Sequence, residues 1–269
     1  LKETVRNENQ VLLSQVNRSV DAYLRTIMKL SDSLYYGVIK NADLSSGTVS
    51  SELTLLYDNN KDEISNIALL SKEGKLIEAV PAARLKNDID VTQEQSFSAT
   101  LDRPDNMHFT KPHVQYIFDN NEKQYRWVIS LTRAVEITDG TSTEQGVLLI
   151  DITYASLKQL LDNVTLGNEG YLYMVGSNGQ LIYHPKMQLI DAGLAEENLK
   201  QAAVYRDGSY REEYQGEVRE ITVKSVGYTG WKLIGVTPER GFSLNNLKTN
   251  LFVVFVSAFF LFILALINA

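Results

Sequence analysis

The chain has 269 residues and contains no cysteine, only five prolines and only three histidines. Without cysteine it can form neither a disulfide framework nor a thiolate metal site. The histidines, His108, His113 and His184, lack the helical spacing of metal ligands, and the third is far from the other two, so no zinc site is expected. Positive charge is scarce as well: 26 Lys and Arg stand against 33 Asp and Glu, a net charge of −7. An acidic chain without a clustered basic face is a poor partner for nucleic acid. No run of five like charges forms a polybasic or acidic tail. A Gly-x-Ser-x-Gly elbow, a phosphate-cradling glycine loop and a dinucleotide fingerprint are all missing. Nothing therefore points to an enzyme or to a bound cofactor. The carboxylate pairs Glu196-Glu197 and Glu212-Glu213 read as solvated faces.

One long hydrophobic run is present, at the end. Residues Thr249 to Ala269 carry no charged side chain. At about 1.5 Å rise per residue, about 20 apolar residues cross a hydrocarbon core, and this segment reads as a transmembrane helix. Leu1 to Gln10 is polar and charged and does not read as a signal peptide. A domain outside the cell needs an exporting segment, so an earlier transmembrane helix is expected before Leu1, and a further module after Ala269.

Between these ends the periodicity alternates between helix and strand. Val5, Leu12, Val16, Val20, Tyr23, Ile27, Leu30 and Leu34 form one apolar stripe on a helix of about 30 residues, an exposed stalk suited to pairing with a second copy. Residues 41–51 read as a loop and 52–60 as a short helix. Ile64 to Val80 reads as a hairpin, Val91 to Leu101 as a helix, and Val114 to Phe118 and Gln124 to Val135 as strands joined by the turn-rich residues 119–122. Gly146 to Ile152 is an apolar strand, followed by a helix over Tyr154 to Val164. A second series follows: strands at 170–175, 180–183, 208–214, 218–226 and 231–236, with short helices between Pro185 and Ala203. Gly74-Lys75-Leu76-Ile77 is echoed by Gly179-Gln180-Leu181-Ile182, which suggests two copies of one antiparallel α+β unit.

In this order, four pieces carry a resemblance: residues 146–152 (GVLLIDI), 170–175 (GYLYMV), 179–185 (GQLIYHP) and 229–236 (TGWKLIGV). With the long first helix and the terminal apolar span, the chain resembles a double Cache sensor domain, two PAS-like modules in tandem. The piece after Tyr228 is similar to YesM-like sensor histidine kinases. The resemblance implies an α+β fold: a stalk helix and loop (1–50), a membrane-distal module (51–164), a membrane-proximal module (165–238), and an exit helix with a transmembrane segment (239–269). Amino-acid-binding members of the family carry Arg or Lys two residues before Trp, Tyr two residues before Asp, and an Asp closing the last strand. Here Gln95 and Phe97 stand for the first pair and His113 and Gln115 for the second; Asp151 alone matches.

A pocket without the cation is a poor clamp for an amino acid. Gln95, Phe97, His113, Gln115, Trp127 and Asp151 instead suit a small neutral polar molecule such as a sugar. Against that reading, Asp151 can cap a turn, Trp127 can cover the core, and His113 and Gln95 can face solvent. Arg133 is left to pair with Asp151 or with water. Tyr171, Tyr173, Tyr183 and His184 read as strand packing rather than as a second pocket. The expectation is the extracytoplasmic sensor of a bacterial membrane receptor, a histidine kinase first and a chemoreceptor or diguanylate cyclase second. It would hold a small polar ligand and no metal, and work as a parallel homodimer. The competing expectations are a membrane-anchored surface domain without a sensory role and a membrane-anchored enzyme.

Overall fold

A run of 36 residues without proline, Lys2–Gly37, forms the first helix, α1. The computed structural model describes residues 2–119, 125–167 and 169–239. At about 1.5 Å per residue α1 is about 54 Å long. Its buried side chains include Leu13, Val16, Val20, Leu24, Ile27 and Leu34, at steps of three and four with buried Ser31 between the last two. The first four join one hydrophobic core and the last two join another. The apolar stripe is therefore used within the chain, and this corrects the expected dimer seam. A stripe buried against its own sheets is closed to a second copy. The opposite face carries Gln15, Arg18, Ser19 and Val11, which is 67% exposed.

The first sheet has the order β2-β1-β8-β7-β4, with β5 also paired to β7. Its strands are β1 (Ile64–Ser71), β2 (Leu76–Val80), β4 (His108–Phe109), β5 (His113–Val114), β7 (Trp127–Asp139) and β8 (Ser142–Thr153). Strand β1 is buried on both faces, which explains its almost unbroken apolar run. One face packs on α1 and on α2 (Thr48–Asn60). The other packs under α3 (Gln95–Asp102) and the chain around Ile117 and Phe118. Strands β7 and β8 form a long hairpin in register from Val128↔Thr153 to Asp139↔Ser142. The strand expected over Val114 to Phe118 is broken: β5 ends at Val114, and β6 (Phe118–Asp119) leaves the sheet to pair with β3 (Arg84–Leu85).

The second sheet has the order β10-β9-β13-β12-β11. It is built from β9 (Tyr171–Val175), β10 (Leu181–Tyr183), β11 (Gly208–Tyr214), β12 (Glu217–Val226) and β13 (Trp231–Pro238). Helix α1 covers one face and the short helix Leu199–Val204 the other. The approach of α1 is close because residue 235 is glycine: a Cβ there would lie 2.8 Å from Leu166 and 3.3 Å from Leu13. Three contacts tie the two sheets' neighbourhoods together. The Phe109 and Trp231 rings meet edge to face at 6.0 Å. The Met107 amide donates to the Tyr228 hydroxyl at 3.0 Å. The Tyr154 hydroxyl, at the start of α4 (Tyr154–Asp162), donates to the Ile182 carbonyl at 3.0 Å.

Residues 249–269, expected to cross a membrane, and the exit helix after residue 239 lie outside the described residues. Among the described residues no helix is long and apolar enough to cross a membrane.

Candidate ligand-binding site

Over the β7–β8 face of the first sheet, α3 and the loop that follows it enclose a cavity of about 570 Å³. That volume lies within the range of small-molecule sites. Its walls mix charge and hydrogen-bonding groups: Glu94, Gln95, Arg103, Lys111, His113 and Ser130 are among them. Pro104 and Pro112 bound the loop, and Arg103 and Lys111 each immediately precede one of these prolines. The helical region is disfavoured for a residue before proline, and Arg103 lies outside it at φ −131°, ψ 71°.

His113 is the hub of the floor. Its Nδ1 lies 2.9 Å from the Lys111 carbonyl oxygen, which can only accept, so Nδ1 carries the proton. Its Nε2 lies 3.4 Å from Ser130 Oγ. The Ser130 hydroxyl donates to Asp151 Oδ1 at 2.5 Å, and Asn66 Nδ2 donates to Asp151 Oδ2 at 3.3 Å. Asp151 is thus a buried carboxylate, 2% exposed, one hydroxyl below the cavity. Burial pushes its carboxyl up, while Ser130, the nearby His113 and Asn66 pull it back down. Tyr116 stands edge-on to His113 at 5.6 Å and donates to Glu94. Burial first, and the Glu94 carboxylate second, hold its phenol above the usual range.

Of the six residues singled out in the sequence, the structure brings Gln95 and His113 to the cavity wall and sets Asp151 directly beneath. Gln115 lies just beyond, its backbone N–H bonded to the Arg126 carbonyl at 2.8 Å and its Nε2 buried without a partner among the described residues. Phe97 is 3% exposed and belongs to the core beneath α3. Trp127 is 44% exposed and lines a different, smaller cavity of about 350 Å³ with Tyr154 and Met187. Sequence reasoning missed Arg103, Lys111, Glu94, Tyr116 and Ser130. The proline that follows each of the first two was the available signal. Arg133 pairs with Asp32 of α1 rather than with Asp151: its Nη1 donates to the Asp32 carboxylate at 2.6 Å and its guanidinium lies 4.8 Å from the Tyr35 ring centre.

The second sheet holds a polar cluster of its own. Arg219 donates to Glu197 at 2.6 Å and to Glu212 at 2.7 Å, and Tyr171 donates to Glu197 at 2.7 Å. The side chains of Glu197 and Arg219 are 2% and 8% exposed. Glu197 and Glu212 are therefore not the solvated carboxylates expected. Burial alone would raise Glu197, but His184, Arg219, Tyr171 and the Asn198 amide outweigh it and hold the carboxyl at about 2. The Tyr171 and Tyr173 rings lie 5.3 and 5.7 Å from that of His184.

The sheets, the helix spanning both and the cavity over the first sheet define a tandem sensor architecture. The chain belongs to the Cache domain family, whose dCache_1 profile matches residues 1–244. A probable methyl-accepting chemotaxis protein of Bacillus thuringiensis subsp. konkukian (strain 97-27) is 22% identical over 242 residues, 88% of this chain. The chain spans about a third, 34%, of that relative's length. Among solved structures, the ligand-binding domain of the Pseudomonas aeruginosa PAO1 amino acid chemoreceptor PctC, in complex with GABA, superposes with a TM-score of 0.64. It is 14% identical and covers 87% of this chain and 99% of its own. The ligand-binding domain of the Pseudomonas fluorescens chemoreceptor CtaA with L-isoleucine gives 0.64 at 14% identity, covering 88% and 94%. These likenesses show the fold. The relative is a chemotaxis protein and not a histidine kinase, which corrects the expected kinship with YesM-like kinases.

Proposed function

We propose that this chain is the extracytoplasmic ligand-binding region of a bacterial chemoreceptor, and that its ligand is an amino acid or a closely related small carboxylate held over the first sheet. The module over residues 51–164 is then the sensing module, and 165–238 the one that stands nearer the membrane. The observation that carries this reading is the composition of the cavity wall. Arg103 and Lys111 supply the cations that position 95 lacks, and a carboxylate partner for them follows from charge-assisted hydrogen bonding. Glu94 on the wall and Asp151 under Ser130 supply the opposite sign, for an ammonium group. A sugar has no use for two cations, so the neutral-ligand reading gives way. Gln95, His113 and Asp151 remain assigned to the ligand, with Gln115 beside them; Phe97 and Trp127 become packing residues. The chemotaxis relative and the chemoreceptor folds support the output.

The test is calorimetric titration of the full chain in lipid nanodiscs with the twenty L-amino acids and GABA. At least one is expected to bind, and His113→Ala to weaken it by about tenfold or more. Absence of binding across that panel, or an unchanged Kd in His113→Ala, removes the reading. For the output, deletion of the gene is expected to abolish swimming toward the compound that binds.

A further inference from the structure

The cavity over the first sheet is walled partly by the second. Ser177, Asn178 and Gln180 line it, although they form the turn between β9 and β10. The turn is closed by its own backbone. The Gly176 N–H donates to the Gln180 carbonyl at 2.8 Å and the Gly179 N–H to the Gly176 carbonyl at 3.0 Å. Gly179 sits at φ +80°, where a side chain is strained, and the Gln180 N–H donates to Asn178 Oδ1 at 3.1 Å. So the turn is rigid, and it presents Ser177 and Asn178 while leaving both exposed.

We infer that this turn is part of the binding site, and that its amide and hydroxyl groups read the side-chain end of an amino acid whose side chain terminates in a hydrogen-bonding group. The inference rests on the reading above that the ligand lies over the first sheet. Two observations carry it. First, the other contacts between the two sheets' neighbourhoods each close on a partner within the chain: Phe109 meets Trp231, the Met107 N–H donates to Tyr228, and Tyr154 donates to Ile182. The turn offers no apolar side chain at all, only neutral donors and acceptors facing open volume. Second, about 570 Å³ exceeds what one amino acid fills. A ligand held at Arg103 and Lys111 by its carboxylate leaves part of that volume for its other end, and the turn lines the same cavity. A site built to hydrogen-bond a polar end rejects the analogue that lacks it, because its own groups are then left unpaired. The ligand then touches both sheets. Strand β9 pairs with β13, from Lys232↔Val175 to Val236↔Tyr171, so the turn stands beside the start of β13, the strand that ends at Pro238.

The experiment is titration of the full chain in nanodiscs with L-glutamine, L-asparagine and L-leucine, alongside three variants. Asn178→Asp keeps the oxygen that closes the turn and removes the amide donor; Gln180→Ala removes the other amide; His113→Ala is the control for the site itself. The wild type is expected to favour the two amides over L-leucine. Asn178→Asp and Gln180→Ala are each expected to weaken the amides about tenfold and to leave L-leucine unchanged. Hydrogen exchange on the unmodified chain is expected to slow at residues 176–180 when the preferred amide saturates it. Turn variants that bind as the wild type does while His113→Ala loses binding, or unaltered exchange at 176–180, overturn the inference and leave the proposed function standing. A wild-type preference for L-leucine overturns the assignment of a polar side chain. No binding of any probe, or binding indifferent to His113→Ala, overturns both.

Discussion

Asp151 illustrates how a buried carboxylate costs stability. Its folded-state carboxyl is raised by burial, so the fold prefers the protonated form. The fold gains from this group at pH values below the ordinary carboxylate range and loses that gain as pH rises through the raised value. At neutral pH the buried charge is a burden that a neutral amide of the same shape avoids. Asp151→Asn is therefore expected to raise the melting temperature at pH 7 by about 2–4 °C, the shift that ~1 kcal/mol gives in a chain of this size. The gap should close toward pH 3, and ligand affinity should fall. Differential scanning calorimetry across pH checks the first part and titration the second; a variant that melts lower at pH 7 defeats the argument. Glu197 has the opposite sign. Held at about 2, it contributes stability that is present above the ordinary glutamate range and is lost as pH falls from there toward 2. Arg219→Ala leaves Glu197 and Glu212 buried without their cation and should cost about 3–5 kcal/mol in denaturant unfolding. A loss under 1 kcal/mol would mean that water compensates the pair. Asp151 was legible in the sequence because it closes an apolar strand. Glu197 was not: beside Glu196 it looks like any exposed pair, and its cation lies 22 residues away.

At the level of elements, α1 was the most legible part of the fold and the most misleading in use. Steps of three and four residues identify an amphipathic helix whatever it packs against, and nothing in such a pattern distinguishes two sheets of the same chain from a second helix. The observed burial makes the two readings separable by mutation. Leu13 is fully buried between α1 and β13, and Leu13→Ala is expected to cost about 3 kcal/mol. Val11, on the outer face, should cost less than about 0.5 kcal/mol as alanine. Urea unfolding of the two variants decides it; equal, small effects would return the stripe to an intermolecular role. The broken edge around β5 shows the converse limit. Residues 114–118 alternate well enough for one strand, but Pro112 and the turn toward β3 divide them between two sheets. The site's cations were hidden for the same reason: they sit on irregular chain, where periodicity says nothing.

On the scale of the whole molecule, a ligand shifts the balance between two arrangements only by binding one of them better. The geometry offers two places where such a difference would be felt. Helix α1 lends side chains to both cores, so the sheets cannot move apart without sliding on it. Thr110 and Lys111 at the cavity directly follow Phe109, the last residue of β4, whose ring meets Trp231 at the first residue of β13. The chain has only two tryptophans, Trp127 and Trp231, which makes this junction observable without labels. In a Trp127→Phe chain the remaining indole reports on the Phe109 contact alone. Its emission is expected to change on titration with the ligand and to saturate at the calorimetric Kd. The same titration of Phe109→Leu, which keeps an apolar filler but removes the ring edge, should bind with a similar Kd and show a smaller change. Emission that ignores the ligand in the Trp127→Phe chain would place the junction outside the response and leave α1 as the carrier.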